Sequence, residues 1–361
     1  MTTDPTRNLR RGQDLAARGL VEPGRVAAID AVARRYALAI TPALADLIDP
    51  ADPDDPIARQ FIPDPAELER APEELVDPIG DQAHSPVKGI VHRYPDRVLL
   101  KPVAVCPVYC RFCFRRESVG PDADALTPAE LDRAIDYIRA HREIWEAILS
   151  GGDPLMLSPA RVAAVVGALD RIEHLGVIRI HTRMPIADPA RIDAELLAAL
   201  VADKAVYVVV HCNHPRELSA AALAACRRLT DSGVPVLSQT VLLKGVNDDA
   251  ATLEALLRTL VRHRIKPYYL HHADLAPGTA HFRTTIAAGR RLVRALAGRV
   301  SGLCQPPYVL DIPGGAGKVR IGPEYPRADG HVEDWRGGLH AYPPPAAALE
   351  PGCVAKPPSP G

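Results

Sequence analysis

From about residue 95 the chain alternates short, β-branched apolar runs with amphipathic helical stretches, and that alternation leaves few ways to fold. The runs are "RVLLKPVAV", "EAILSGG", "VIRIHTR", "AVYVVVHCN", "VPVLSQTVLL", "KPYYLHHAD" and "PYVLDIP". They are apolar almost throughout, the pattern of strands buried on both faces, so they predict a parallel sheet covered by helices. Two helix starts are signalled. Thr127-Pro128-Ala129-Glu130 puts a hydroxyl at the N-cap, proline at the first helical position and Glu at the third, and Ser158-Pro159 repeats the first two. An open doubly wound sheet and a barrel both satisfy the alternation. Polar strand ends favour the barrel: Cys106, Gly151-Gly152-Asp153, His181-Thr182-Arg183, His211-Cys212-Asn213, Ser238-Gln239, Asp274 and Asp311. A barrel gathers all its strand C-termini around one site, whereas an open sheet uses only a switch point. The expectation is an α/β chain with a full or partial (β/α) TIM-like barrel.

Three regions are expected. Residues 1–84 form a helical, Pro-rich N-terminal extension packed on the core, with "PGRVAAIDAVARRYALAI" its clearest helical periodicity. Residues 85–322 form the barrel. Residues 323–361, rich in Pro and Gly, form a tail with a short ordered segment and a flexible end. A net charge of −1 from 43 basic and 44 acidic side chains gives no electrostatic case for nucleic acid or a membrane surface. No eighteen-residue apolar run and no apolar leader stand out, and seven unevenly spaced cysteines do not form a disulfide framework. A reducing cytoplasm is the expected setting.

Three of those cysteines sit together in "CPVYCRFC", at Cys106, Cys110 and Cys113. Zinc would want a fourth ligand, for which Cys212 is the lone candidate, and no second C-x2-C or H-x3-H run accompanies them. Three unrelated buried thiols are the remaining bland reading. The third reading is an iron–sulfur cluster held by three thiolates, with one iron left open. This C-x3-C-x2-C spacing resembles the signature of the radical S-adenosylmethionine enzymes, in which the open iron chelates that cofactor and one electron cleaves it to a deoxyadenosyl radical. "SGGDP" follows the next strand, and its glycines allow close backbone approach to a ligand. By the same resemblance, Ser150, Gly151, Gly152 and Asp153 hold S-adenosylmethionine.

"DIPGGAGKVRI" ends the last strand. It is not a nucleotide-binding P-loop, because Ile312 stands at the first glycine position and Val319 at the Ser/Thr position. A lysine in such a loop at a barrel mouth is placed for a Schiff base, though a surface lysine in a turn is the commoner meaning. Taken together, "HRYPDRVLLKPVAVCPVYCRFCFRR", "SGGDPL", "RIHTRMP", "LSQTVLLKGVND", "YYLHHADLAPGTAHFRT" and "DIPGGAGK" resemble the lysine 2,3-aminomutase family over roughly residues 85–322. The resemblance implies a crescent-shaped partial barrel using a [4Fe-4S] cluster, S-adenosylmethionine and pyridoxal phosphate. It implies that Lys318 is the Schiff-base lysine and that Arg93, Tyr94, Arg97 and Gln239 hold pyridoxal phosphate. A helix-start charge pair is the bland reading of those arginines. It further implies that Arg115 grips the substrate carboxylate.

Asp274 and Asp311 end the last two strands, and two carboxylates facing one cavity demand a cation between them. In the family, aspartates at these positions read the lysine side chain. The resemblance therefore implies an isomerase that moves the α-amino group of L-lysine to C3, giving β-lysine. The alternatives are an aminomutase feeding elongation factor P modification, or one acting on arginine or ornithine. Partners are a small amino acid and an electron donor such as flavodoxin or ferredoxin, with room for a homo-oligomer. Larger members carry a tail zinc site and a cysteine after "GVND"; here Asp249 follows "GVND" and the tail holds only Cys353, so no zinc site is expected.

Overall fold

Seven parallel strands arise from the seven apolar runs, and an antiparallel strand borders them on each side. In the computed structural model, which describes residues 7–121, 123 and 125–345, the strands are β1 Ile90–Tyr94, β2 Arg97–Val103, β3 Glu146–Gly151, β4 Val177–Thr182, β5 Ala205–His211, β6 Val236–Leu242, β7 Ile265–His272, β8 Tyr308–Ile312 and β9 Gly317–Arg320. Strands β2 to β8 pair in parallel, and β1 and β9 pair antiparallel to β2 and β8. They lie side by side in strict chain order. A doubly wound sheet reverses its strand order partway, and this one does not. The result is a nearly closed barrel.

Four short helices precede the barrel: α1 Gly12–Ala17, α2 Val26–Ala33, α3 Pro42–Ala45 and α4 Pro56–Phe61. The crossovers carry α5 Pro128–Ala140, α6 Pro159–Asp170, α7 Met184–Ala187, α8 Ala194–Ala199, α9 Ala220–Asp231, α10 Ala250–Arg262 and α11 Ile286–Leu296. Thr127 caps α5 as expected, its hydroxyl accepting from Glu130 N–H while the Glu130 carboxylate accepts from Thr127 N–H at 2.9 Å. Ser158 caps α6 through its hydroxyl alone, which accepts from Arg161 N–H. The β4–β5 crossover is two short helices, because Pro185 and Pro189 break the stretch.

Three details differ from the sequence reading. The helical periodicity of residues 23–40 supports α2 only to Ala33; beyond it Ile40 pairs with Leu9 by two backbone hydrogen bonds of 2.8 and 3.0 Å. Arg93, Tyr94 and Arg97 lie on the β1–β2 hairpin, not at a helix start. Lys318 stands on β9 opposite Asp311, where a glycine-rich loop was expected. The glycines make the tight turn between β8 and β9, and the lysine follows it in extended backbone. Lys318 is thereby held by a ladder rather than by a mobile loop.

The barrel edges meet through single contacts instead of a ladder. Lys318 N–H donates to the Tyr94 hydroxyl at 2.6 Å, and Gly314 N–H donates to the Pro78 carbonyl at 3.2 Å. A Cβ on Gly80 would stand 2.7 Å from Gly315 Cα, so these two backbones cross only because both residues lack a side chain. The N-terminal region shares the barrel's core. Leu15, Ile29, Ile40, Leu44 and Phe61 are fully buried in one cluster with Leu149, Ile180 and Val208. After the barrel, β10 His331–Glu333 and β11 Leu339–Ala341 form a hairpin, the short ordered segment expected of the tail. The end of the tail, expected to be flexible, and Cys353 lie outside the described residues.

Candidate active site

A cavity of about 550 Å³ runs through the barrel, lined by Arg97 and Glu146 at the starts of β2 and β3 and by residues at the strands' C-terminal ends. Every site residue named from the sequence lines it: the three clustered cysteines, Ser150 to Asp153, Arg93, Tyr94, Arg97, Arg115, Gln239, Asp274, Asp311 and Lys318. Cys212 does not; it is fully buried behind β5.

The cysteine loop leaves β2 and is gripped from behind by the N-terminal region. Arg111, fully buried, sends its Nε and one terminal nitrogen to both oxygens of Glu67 at 2.6 to 3.1 Å, and its other terminal nitrogen to the Ala37 carbonyl at 2.8 Å. Arg116 shares the same Glu67 carboxylate. Tyr109 N–H donates to Ala39 and Arg111 N–H to Gln60. Val108 and Phe112 are buried beside the thiols. All three thiols are free. Burial pushes Cys106 well above the usual thiol range and Cys113 up to about 11; Cys106 also feels the charge of the other two thiols, and Cys113 that of Cys110. Such thiols ionise when a metal takes the proton's place.

No three His, Cys, Asp or Glu side chains among the described residues converge as a group for a metal ion. A cubane cluster asks for something different, with each thiolate on its own iron, and three free thiols on one buried loop at the edge of a large cavity fit that demand. Arg183 adds a cation. It donates to Cys110 Sγ at 3.0 Å and to Gln60 at 3.0 Å, and pairs with the fully buried Glu217. Burial alone would lower its pKa; the Cys110 and Glu217 charges outweigh that and raise it.

The turn at Ser150 to Asp153 is built for its own chain first. Gly152 has no room for a side chain, since a Cβ would lie 2.7 Å from Val105 N, just past the end of β2 where the chain enters the cysteine loop. Gly152 N–H and Asp153 N–H donate to Val103 and Val105 carbonyls at 2.8 and 2.9 Å. The Asp153 carboxylate, 4% exposed, accepts from Leu155 N–H, the Thr182 hydroxyl and Arg183 N–H at 3.0, 2.7 and 2.7 Å. Asp153 therefore ties β3 to β4 and is saturated by the fold. The close approach predicted for the glycines is to the chain's own backbone.

Lys318 Nζ contacts the Asp311 carboxylate and lies 3.3 Å from His271 Nδ1. Arg93 lies 3.7 Å from the other Asp311 oxygen. The Arg97 guanidinium stacks 3.8 Å over the Tyr94 ring. Burial and the Asp311 charge push the Asp274 carboxyl up to about 7, only partly opposed by Lys318, Arg115 and Arg93. Asp274 has no ion pair of its own among the described residues.

Several lining groups were given no role in the sequence reading. His181, His211 and His271 face the same space, and burial holds all three neutral, His211 down to about 3. The buried Nε2 of His181 has no hydrogen-bond partner among the described residues. Asp81, from the proline-studded stretch before the barrel, contacts Arg115, Arg93 and Lys101. His181 and His211 were legible as polar strand ends, whereas His271 was not singled out and Asp81 carried no signal.

Comparisons agree with this geometry. Residues 100–257 match the family described as the Radical SAM superfamily. An L-lysine 2,3-aminomutase from Clostridium subterminale is 40% identical over 88% of this chain and 77% of its own length. One from Acetoanaerobium sticklandii is 40% identical over 81% of this chain and 71% of its own. A glutamate 2,3-aminomutase from Clostridioides difficile is 36% identical over 82% and 70%. With the cysteine loop, the Lys318 hairpin and the cavity in the same order as the motifs, the chain belongs to the lysine 2,3-aminomutase family of the radical S-adenosylmethionine superfamily.

Proposed function

We propose that this protein moves the α-amino group of L-lysine to C3, giving β-lysine. The observation that carries the substrate is Asp274, a half-buried carboxyl with no ion pair among the described residues, beside Asp311. Two acidic groups at one end of a cavity favour a substrate with a terminal ammonium and disfavour an acidic side chain.

Cys106, Cys110 and Cys113 would hold a [4Fe-4S] cluster, with Ser150, Gly151 and Gly152 beside S-adenosylmethionine; Lys318, Arg93, Tyr94, Arg97 and Gln239 would hold pyridoxal phosphate. When bound, these groups supply a carbon radical and a π system through which nitrogen migrates. Asp153 acts one step back, fixing the strand ends. Arg115 binds the α-carboxylate by charge-assisted hydrogen bonds. Asp274 and Asp311 orient the side-chain ammonium, and Asp311 exchanges Lys318 for substrate when it does so. His271, held neutral and with its proton on Nε2, accepts a hydrogen bond from Lys318 Nζ at Nδ1 and helps to fix it beside Asp311. The apolar wall of Val108 and Phe112 keeps water from the thiols. The reading includes a barrel of residues 85–322 flanked by an extension and a tail, a cytoplasmic setting, and a flavodoxin or ferredoxin as electron donor. No helix among the described residues is long and apolar enough to cross a membrane.

The test is an anaerobic assay with reductant, S-adenosylmethionine and pyridoxal phosphate, with chiral analysis of the product. β-Lysine from L-lysine is the expected result. Turnover of arginine or ornithine with lysine inert would replace lysine by another cation, and absence of 5′-deoxyadenosine with every amino acid would remove the aminomutase reading.

A further inference from the structure

Asp81 belongs to no motif, yet it sits where the two cationic subsites meet. Its carboxylate is 6% exposed. One oxygen accepts from Arg115 Nε at 2.8 Å and lies 3.8 Å from Lys101 Nζ; the other lies 3.4 Å from Arg93. Arg115 and Arg93 come from opposite sides of the cysteine loop, and this one carboxylate bridges them. Its place is not incidental. Asp81 follows Gly80, whose backbone crosses Gly315 in the β8–β9 turn, and Ile79 accepts a hydrogen bond from Arg93. The segment is pinned to both barrel edges.

We propose that Asp81 is a positioning residue that sets the selectivity for an α-carboxylate. This deepens the aminomutase reading and rests on Arg115 binding that carboxylate. Asp81 takes Arg115 by Nε, the back of the guanidinium. Of the two terminal nitrogens, one donates to the Ser150 hydroxyl at a long 3.5 Å and the other makes no hydrogen bond among the described residues. A guanidinium held at Nε presents its terminal edge in one orientation, the edge that receives a carboxylate in a two-point grip. Without Asp81, Arg115, Arg93 and Lys101 would repel one another across a buried gap, and Arg115 would leave that orientation. Burial would raise the Asp81 carboxyl, but Arg115, Lys101 and Arg93 hold it below the ordinary carboxylate value, so it stays charged at working pH.

The experiment compares L-lysine with 1,5-diaminopentane, which is lysine without its carboxylate. Binding to the pyridoxal phosphate-loaded protein is followed by the change in pyridoxal absorbance. In the wild type lysine binds more tightly, and Arg115→Ala removes the difference. Asp81→Asn is expected to weaken lysine about tenfold while leaving diaminopentane unchanged, with iron and pyridoxal content as in the wild type. Asp81→Glu is expected to recover part of the loss. If Asp81→Asn does not accumulate as folded protein, Asp81→Asn with Lys101→Met restores the charge balance and carries the same prediction. Equal weakening of both ligands, or of neither, overturns the role of Asp81. A wild type that does not distinguish the two ligands overturns the Arg115 assignment instead.

Discussion

Asp274 links one side chain's surroundings to a measurable pH dependence. Its carboxyl is raised to about 7, so it is largely protonated below that pH and charged above it. An ammonium is attracted only by the charged form. The ratio of kcat/KM for wild type to that for Asp274→Asn cancels the substrate's own ionisation. It is expected to rise as pH increases through about 7 and to level off above. For stability the sign reverses: the substrate-free fold holds a proton that the unfolded chain has released above its ordinary value of 3.8. That contribution is present below pH 4 and lost as pH rises through about 7. Asp274→Asn should therefore raise the Tm of the substrate-free protein at pH 8 and change it little at pH 4. Lys318→Ala makes a second test at this scale. The pyridoxal absorbance should disappear on dialysis, and persistence would place the Schiff base on another residue. Glu67 makes a third. It is fully buried between Arg111 and Arg116, and Glu67→Ala leaves two guanidiniums without a counter-charge, a loss of about 3–5 kcal/mol. Denaturant unfolding measures it, and iron bound per chain should fall with it, because these arginines belong to the cysteine loop.

At the scale of elements, the decisive pieces are two turns. The Ser150 to Asp153 turn lies against the exit of β2, and Gly152→Ala forces a methyl into the Val105 backbone. Overpacking of this kind costs about 1–3 kcal/mol, and displacement of the cysteine loop should appear as lower cluster occupancy in the iron–sulfur absorbance. The β8–β9 turn raises Lys318 onto a strand. The parallel strands and their caps were legible, because burial on both faces writes an apolar run and a cap writes its own residues. Strands β1 and β9 were not. "HRYPDR" and "GGAGKVR" are polar and glycine-rich, since each contains a turn and lies at an edge of the sheet. Their register is set by the tight local turns that join them to β2 and β8.

For the molecule as a whole, the N-terminal region is part of the machine. Leu15, Ile29, Ile40 and Phe61 share one core with the barrel, and Glu67, Gln60, Ala37 and Ala39 hold the cysteine loop. A chain beginning at residue 85 is expected to aggregate or bind no iron, as read by size-exclusion chromatography and iron content. Recovery of a monomeric, iron-loaded barrel would show the extension to be dispensable. By itself, the sequence determined what is local: the strand and helix periods, the capping residues, the spacing of three cysteines, and the order of motifs that marks the family. Only the tertiary structure decided which distant charges meet. Asp81 reaches Arg115, Glu67 reaches Arg111, and Arg183 reaches Cys110, each across tens of residues. Periodicity records which face of an element is buried, but it carries no trace of which loop crosses the mouth of the barrel. That crossing is set by packing and by two glycine backbones that have room to touch.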